Sequence, residues 1–127
     1  GVRAEAIATN FCWIKITCLY IFEVYSIWVI DWSQITGFDW DSGNALKSID
    51  KHGVSCEEAE SVFAQNEVLI LKDERHSQME MRWHAFGESN RNRLLSVTFT
   101  VRENLLRVIS ARPMNKRERK TYALDQR

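Results

Sequence analysis

The spacing of the apolar residues changes once along this chain, and that change limits the folds open to it. Before Gln65 the apolar positions recur at the three- and four-residue spacing of short helices. After Gln65 they alternate with polar residues, most clearly from Leu95 to Val101. A helical part followed by a strand-rich part predicts an α+β domain in which helices pack on one face of a sheet.

Capping residues mark the ends of two predicted N-terminal helices. The first begins at Asp41 and stops at Gly53, where glycine adopts a left-handed backbone at little cost. Ser55 opens the second helix. Its spacing from Glu58 predicts a capping box, in which each side chain bonds the other residue's backbone amide. The two helices are therefore expected to meet at residues 52–54.

About four antiparallel strands follow, centred on residues 68–71, 81–86, 95–101 and 105–110. Glu103 and Asn104 make a tight turn between the last two strands plausible. On the final strand, simple alternation puts Leu106, Val108 and Ser110 on one face and their neighbours on the other.

A C-terminal helix is predicted from Lys116 to about Leu124. Pro113 ends the preceding strand, and Asn115 can cap the helix together with Glu118 three residues on. The predicted architecture is thus two helices, an antiparallel sheet of about four strands, and a last helix.

The first 34 residues do not resemble the rest of the chain. Aromatic and β-branched residues dominate between Phe11 and Trp32, interrupted by only three charges. Those charges, and the lack of a flanking basic cluster or small-residue cleavage site, argue against a transmembrane helix and a signal peptide. The segment could form a strand at residues 27–30, a helix on a hydrophobic surface, or an extension. We favour an extension, 1–34, that the functional domain, 35–127, does not need.

The composition suits one globular domain with unevenly distributed charge. Of the 127 residues 45% are hydrophobic and 27% charged, enough apolar material for one core and too little for a membrane-embedded protein. Ten acidic residues face four basic ones between residues 38 and 80, whereas eight basic residues face three acidic ones from residue 102 onward. A cationic face for a polyanion or a merely solvated basic helix would account for this asymmetry.

Metal, cofactor and disulfide chemistry find little support. No pair of cysteines has C-x-x-C spacing, so reduced, partly buried thiols of a cytosolic protein are expected. The histidines lack zinc-site spacing, and the chain has neither a glycine-rich phosphate loop nor a serine elbow. We therefore expect no metal and no cofactor. The residues concerned are Cys12, Cys18, Cys56, His52, His76 and His84.

Cations and imidazoles suited to metal-free RNA cleavage occur at several places. Such cleavage needs a base for the 2′-hydroxyl proton, an acid for the leaving oxygen, and cations for the phosphorane charge. The candidates are Lys51 and His52 at the helix junction, Arg75 and His76 in a loop, Arg82 on a strand, and Arg112 at the end of the last strand. Structural roles are open for all of them. A histidine can end a helix or cap a loop, and an arginine can pair with a nearby acid.

The basic C-terminal helix has two opposed interpretations. Lys116 and Arg117 could clamp an RNA backbone by replacing its counterions, or they could belong to a solvated face. RNA binding would also call for aromatic platforms, but alternation places Trp83 and Phe99 on core faces. Core packing is the better interpretation of Trp83, Phe86 and Phe99.

Taken together, several motifs resemble the BrnT toxin family. Their order and spacing agree from residue 35 to about residue 122, roughly 70% of the chain. The first 34 residues lie outside the resemblance. The matching positions are Phe38-Asp39-Trp40-Asp41, Gly43-Asn44, Lys47, Lys51-His52-Gly53-Val54-Ser55, Glu57-Glu58-Ala59, Val62-Phe63, Asp73-Glu74-Arg75-His76-Ser77, Arg82, Gly87, Arg93-Leu94-Leu95, Arg107-Val108-Ile109-Ser110-Ala111-Arg112 and Lys116-Arg117-Glu118-Arg119.

The resemblance implies a small cytoplasmic ribonuclease toxin with RelE-like architecture that cleaves RNA without a metal. Such a toxin arrests translation and is held inactive by a cognate antitoxin, whose DNA-binding part represses the operon. RNA and the antitoxin would then be direct partners, and operator DNA an indirect one. The strongest alternative is a catalytically inert domain of this type that only binds a partner within a DNA-binding repressor complex.

At the positions that the resemblance fixes, the chemistry of the residues suggests a role for each candidate. His76 would be the acid or base, Arg82 and Arg112 would stabilise phosphate, and Lys51 with His52 would orient RNA or assist proton transfer. Further RNA contacts would come from Arg75, Lys116 and Arg117.

Overall fold

The structure is a computed structural model that describes residues 30–65, 67–76 and 79–126. A 3-10 turn at Trp32–Gln34 comes before the first strand. The elements, in chain order, are β1 (Gly37–Phe38), α1 (Lys47–His52), α2 (Cys56–Phe63), β2 (Leu69–Lys72), β3 (Trp83–Glu88), β4 (Leu94–Arg102), β5 (Leu105–Pro113) and α3 (Lys116–Asp125). The α+β class expected from the sequence is confirmed.

The sheet has five strands in the order β1-β5-β4-β3-β2. Strands β2 to β5 form the predicted antiparallel meander, and β1 adds to β5 in parallel. The prediction of four strands missed β1 because a two-residue strand is too short to show alternation.

Helix α2 covers one face of the sheet and forms the core with it. Val62 and Phe63 are fully buried, and the Phe63 ring meets that of Phe99 edge to face at 5.1 Å. Gly87 on β3 lets the helix come close, since a Cβ there would lie 3.1 Å from Cγ1 of Val62. The opposite face of the sheet is therefore the one left for polar side chains.

The segment before α2 closes the outer edge of β5. Beyond β1, the Asn44 side chain donates to the Val108 carbonyl at 2.8 Å, and the Ala111 N–H donates to the Ser48 hydroxyl at 2.8 Å. These buried bonds satisfy backbone groups that an open edge strand would leave exposed. They also fix α1 beside this edge of the sheet.

The first helix is shorter than the sequence suggests. Asp41 caps a turn, with its Oδ1 accepting from the Gly43 amide at 2.7 Å, and regular helix starts only at Lys47. The helix ends as predicted, because Gly53 has the left-handed φ of 67°. The expected long helix from Asp41 is thus a run of turns followed by one short helix.

Only half of the predicted capping box at α2 forms. The Glu58 N–H donates to Ser55 Oγ at 3.1 Å, as expected. The Glu58 carboxylate instead turns inward, where it accepts from Ser89 Oγ at 2.7 Å and from the Arg93 guanidinium. The capping box was wrong on this point because a buried ion pair is a better partner for the carboxylate than an exposed amide.

A β-bulge in β5 changes which residues face the core. Neighbouring β4 residues pair with Val108 and Ser110, so Ile109 is an extra residue. After the bulge Ala111 is fully buried, whereas Ser110 and Arg112 lie on the opposite face. The predicted facing of Ser110 was wrong for this reason.

Helix α3 packs over one end of the other sheet face. Its predicted capping box between Asn115 and Glu118 is confirmed by both reciprocal bonds. Tyr122 packs with Phe86 and Met114 and donates its hydroxyl to the Glu67 carbonyl at 2.8 Å. The rest of α3 is exposed apart from Glu118, which is partly buried.

The packed core begins before the expected domain boundary. Ile30 and Trp32 are buried, and the Trp32 ring lies 6.1 Å from that of Phe99. Ile30 and Trp32 therefore belong to the core, although they fall within the segment expected to be an extension. The remaining part of that segment, 1–29 with Cys12 and Cys18, lies outside the described residues.

Two further expectations concern membranes and thiols. Among the described helices, none is both long and apolar enough to cross a bilayer. Cys56 is a free, partly buried thiol, and burial raises its pKa, which favours the unreactive protonated form.

Candidate functional site

The sheet face turned away from α2 is lined by polar and cationic side chains. The His84 ring stacks on Phe86, which packs under α3, so both residues lie on this side. Strand pairing then places their neighbours on β4 and β5 on the same side. We call it the polar face. Its residues are His84, Thr98, Thr100, Arg102, Arg107, Ser110 and Arg112, with Arg82 immediately before β3.

Asp73, directly after β2, is the centre of a hydrogen-bonded cluster beside this face. Its carboxylate is only 6% exposed. It accepts the backbone N–H groups of Arg75 and His76, both at 3.1 Å. It also contacts His76 Nδ1 at 3.0 Å and His84 Nε2 at 3.3 Å. One buried carboxylate thus fixes two imidazoles and the loop that carries one of them.

His84 is held from both ring nitrogens. Its Nδ1 lies 2.9 Å from Thr98 Oγ1, while its Nε2 faces Asp73. A neutral ring that donates from Nε2 and accepts the Thr98 hydroxyl satisfies every contact. Burial lowers the pKa of His84 despite the nearby Asp73 carboxylate, so the neutral form is favoured.

His76 is the exposed member of the cluster. Its side chain is 58% exposed, and its Nδ1 is the nitrogen bound to Asp73. When the neutral ring donates from Nδ1, Nε2 carries a lone pair that can take a proton. Burial alone would raise the pKa of Asp73, but bonds from the His76 ring and amide and the nearby imidazoles lower it overall. An ionised carboxylate behind an exposed imidazole is the arrangement of an oriented general base.

Arg112 reaches the polar face from the end of β5 and is held by α3. Its Nη1 and Nη2 donate to Glu118 Oε1 and Oε2 at 2.7 and 2.8 Å. Burial tends to raise the pKa of Glu118, but the bonds from Arg112 and Asn115 lower it overall, so the pair stays charged. Both charges also act on the pKa of His84, which shows that the pair lies near the Asp73 cluster.

Arg82 is tied to the same cluster through its backbone. Its carbonyl accepts the Asp73 N–H at 2.8 Å. It lies two residues before His84, so extended alternation places both side chains on the polar face. The side chain of Arg82 also acts on Glu80, whose pKa is lowered chiefly by its hydrogen bond from Arg102 and further by the Arg82 charge.

The remaining cations of the polar face are paired with carboxylates. Arg102 Nε donates to Glu80 at 2.8 Å. Arg107 lies 2.9 Å from Asp41 and 3.4 Å from Asp39. The face therefore holds fixed arginines whose charge is partly neutralised by their neighbours.

The structure brings some predicted site residues together and separates others. Arg82 and Arg112 lie on the polar face, His76 lies beside it and is bound to Asp73, and Arg75 lies in the same loop as His76. Lys116 and Arg117 are exposed in the first turn of α3, the helix whose Glu118 holds Arg112.

Lys51 and His52 lie elsewhere. They end α1, which is fixed beside β5, whereas His76 follows β2 at the opposite edge of the sheet. Arg112 is on β5 as well, but the pairing of β5 with β4 turns its side chain onto the polar face. The structure does not join Lys51 and His52 to the Asp73 cluster.

The sequence interpretation missed four residues of this arrangement: Asp73, His84, Thr98 and Glu118. Two signals pointed to some of them. An Asx turn joins an aspartate to the backbone N–H two residues on, here Arg75, and His84 alternates in phase with Arg82. No local signal relates Thr98 or Glu118 to the cluster, because their contacts depend on strand order.

The structure also bears on the predicted packing of the aromatic residues and on metal binding. Phe99 is fully buried, Phe86 is buried under α3 and Trp83 packs against the core, which confirms core packing for all three. Within the ranges that the structure describes, no three His, Cys, Asp or Glu side chains are arranged to hold a metal ion.

One family model matches more than half of the chain. A family model described as "Ribonuclease toxin, BrnT, of type II toxin-antitoxin system" matches residues 40–118. The crystal structure of the Brucella abortus ribonuclease toxin BrnT is similar at 24% sequence identity, over 64% of this chain and 99% of that chain, with a TM-score of 0.49. No curated protein matches the sequence.

Proposed function

We propose that this chain, which belongs to the BrnT family of ribonuclease toxins of type II toxin-antitoxin systems, cleaves RNA on the polar face of its sheet. The observation that carries the proposal is the Asp73 cluster. A buried carboxylate orients an exposed imidazole at 3.0 Å, and arginines line the same face. Orientation of a base beside fixed cations is what metal-free phosphodiester cleavage requires.

In the proposed reaction the RNA supplies its own nucleophile. His76 Nε2 takes the proton of a 2′-hydroxyl while that oxygen bonds to the adjacent phosphorus. The bond from phosphorus to the 5′-oxygen breaks, and the leaving oxygen takes a proton from water. The products are a 2′,3′-cyclic phosphate and a 5′-hydroxyl. Arg82 and Arg112 stabilise the phosphorane charge, and Asp73 stabilises the imidazolium that forms on His76.

The substrate and partners follow from the charge distribution and the family. Arg75, Lys116 and Arg117 are exposed near the polar face and contact the RNA backbone in this proposal. Lys51 and His52 are outlying contacts at the far edge of the sheet. Cleavage of cellular RNA in the cytoplasm arrests translation, and a cognate antitoxin that also binds operator DNA neutralises the toxin.

The test is RNA cleavage by the purified full chain in the presence of a metal chelator. We expect the wild type to cut RNA, and His76→Ala to lower the rate by about 10²- to 10⁴-fold, the usual contribution of a general base. Asp73→Asn should lower it too, because a neutral amide does not stabilise the imidazolium that forms on His76. Arg91→Ala, at an exposed turn between β3 and β4, is the matched control and should keep the wild-type rate.

Two results would count against the assignment. If His52→Ala lost the cleavage rate expected to be lost in His76→Ala, and His76→Ala lost none, the general base would be assigned to α1. Intact RNA with a folded wild-type chain that still binds its antitoxin would favour an inert partner-binding domain. The pairing of Arg102, Arg107 and Arg112 with carboxylates is the observation that favours this second candidate, because paired cations attract phosphate less strongly.

A further inference from the structure

The contacts of Arg112 leave one defined edge of its guanidinium available. An arginine has five N–H donors in a rigid planar fork. Two of them bind Glu118, and a third, on Nη1, donates to the Pro113 carbonyl at 3.2 Å. The two that remain, on Nε and Nη2, lie side by side, and no described residue accepts from them. The side chain is 37% exposed, so this edge can receive a ligand.

Glu118 does more than neutralise this arginine. Its Oε1 accepts from Arg112 and also from the Asn115 backbone N–H at 2.9 Å, which closes the capping box of α3. The side chain is only 14% exposed and is thus held in place. One carboxylate therefore fixes the first turn of α3 and the plane of the Arg112 fork together.

We infer that Glu118 is a positioning residue that holds Arg112 by one edge so that the Nε and Nη2 edge receives a phosphate oxygen pair of the RNA. The inference rests on the proposed function and adds the residue through which α3 takes part in it. A side-on fork matches two oxygens of one phosphate, and holding the plane in advance reduces the ordering that binding requires.

The experiment compares Glu118→Gln with Asn115→Ala in the full chain. Glu118→Gln removes the carboxylate that accepts both Nη groups, while Asn115→Ala weakens the cap and keeps the Arg112–Glu118 pair. Binding is measured with a mixed-sequence 2′-O-methyl RNA oligonucleotide, which cannot be cleaved. We expect Glu118→Gln to raise Kd about tenfold, the loss of one charge-assisted contact, and Asn115→Ala to change it less than about twofold.

The sign of the effect decides between positioning and masking. Equal or tighter oligonucleotide binding by Glu118→Gln would overturn the inference, because Glu118 would then only mask Arg112. An equal loss in both variants would also overturn it, because the effect would then come from the fold of α3. In cleavage assays KM should rise in Glu118→Gln by a larger factor than kcat falls, which a general loss of folded enzyme would not produce.

A second readout separates this inference from the proposed function. In NMR spectra of the full chain, the Nε–H of a fixed Arg112 gives a resolved signal that inorganic phosphate shifts. We expect that signal in the wild type and in Asn115→Ala and its broadening in Glu118→Gln. If the wild type neither binds nor cuts RNA, the proposed function fails while this signal still tests the positioning. An Arg112 Nε–H signal in Glu118→Gln like that of the wild type would overturn the positioning role of Glu118.

Discussion

At the scale of single residues, the two histidines of the Asp73 cluster differ in exposure although they share one carboxylate. His76 is 58% exposed and keeps one ring nitrogen toward solvent, whereas His84 is bound at both nitrogens. This difference in environment, and not the residue type, is why we propose His76 as the base and give His84 a supporting part. The sequence alone could not make this distinction, because it depends on burial.

The pKa of His84 predicts a pH dependence of stability. Burial lowers this pKa in the folded state, so protonation favours the unfolded chain. The contribution of His84 is complete above its unfolded pKa, about 6.5, and is lost as the pH falls below that value. His84→Gln keeps a donor toward Asp73 but does not titrate. We expect urea unfolding to show a smaller loss of stability between pH 7.5 and pH 5 in the variant.

The comparison should be made in the full chain at fixed ionic strength, because surface pairs also respond to salt. Parallel stability curves for wild type and His84→Gln over this range would show that His84 does not carry the effect.

At the scale of elements, a buried ion pair ties α2 to the β3–β4 turn. Glu58 is 1% exposed and accepts from Arg93 Nε at 2.8 Å and from Ser89 Oγ. The Arg93 guanidinium also donates to the Gly53 carbonyl at 2.9 Å, which joins the end of α1 to the same point. The hydrogen bonds from Arg93, with help from Ser89, outweigh burial and lower the pKa of Glu58.

Breaking this pair should be costly. Glu58→Ala leaves Arg93 and Ser89 without their acceptor, and we expect the free energy of unfolding to fall by about 3 kcal/mol, at the lower end for buried pairs because Arg93 is partly hydrated. Glu57→Ala, one residue earlier and exposed, is the control and should cost at most about 0.5 kcal/mol. Urea denaturation of both variants checks this, and equal losses would contradict the structural role of Glu58.

Elements were predictable where a local signal marks them. Gly53, Ser55 and Asn115 are of residue types that favour helix caps, and each caps its helix as expected. Strand β1 and the bulge at Ile109 had no such signal, since one is two residues long and the other is defined only by its pairing with β4. The Glu58 carboxylate binds Arg93, 35 positions away, and not the backbone amide of its own cap. No local rule predicts that choice of partner.

At the scale of the whole molecule, the core is assembled from both ends of the described chain. Trp32 is 3% exposed and packs against Phe99 at the centre of β4. A core that needs this residue does not begin at residue 35, where the sequence composition changes.

Trp32→Ala in the full chain tests that view. Emptying a buried tryptophan site typically lowers the free energy of unfolding by about 3 to 5 kcal/mol, and we expect a loss in that range by chemical denaturation. Met79→Ala, at a fully exposed side chain, serves as the control and should unfold like the wild type. Unchanged stability in Trp32→Ala would mean that the packing of Trp32 contributes little.

The site itself is also a property of the whole molecule. Its residues come from the loop after β2, from β3 and β4, and from the junction of β5 with α3. The sequence indicated that His76, Arg82 and Arg112 suit RNA chemistry, but it grouped them with Lys51 and His52. The structure separates these sets, because Lys51 and His52 end α1 beside the edge of β5, whereas the side chain of Arg112 turns onto the polar face.

The extra residue at Ile109 has a consequence for anyone comparing this chain with others. Arg107 and Arg112 are an odd number of positions apart, yet both lie on the polar face, because the strand changes parity between them. A related chain without the bulge could have arginines at both positions, but their side chains would lie on opposite faces of the sheet. Equivalent positions in β5 must therefore be matched by the face they occupy, since counting along the letters would pair a site residue with a core residue.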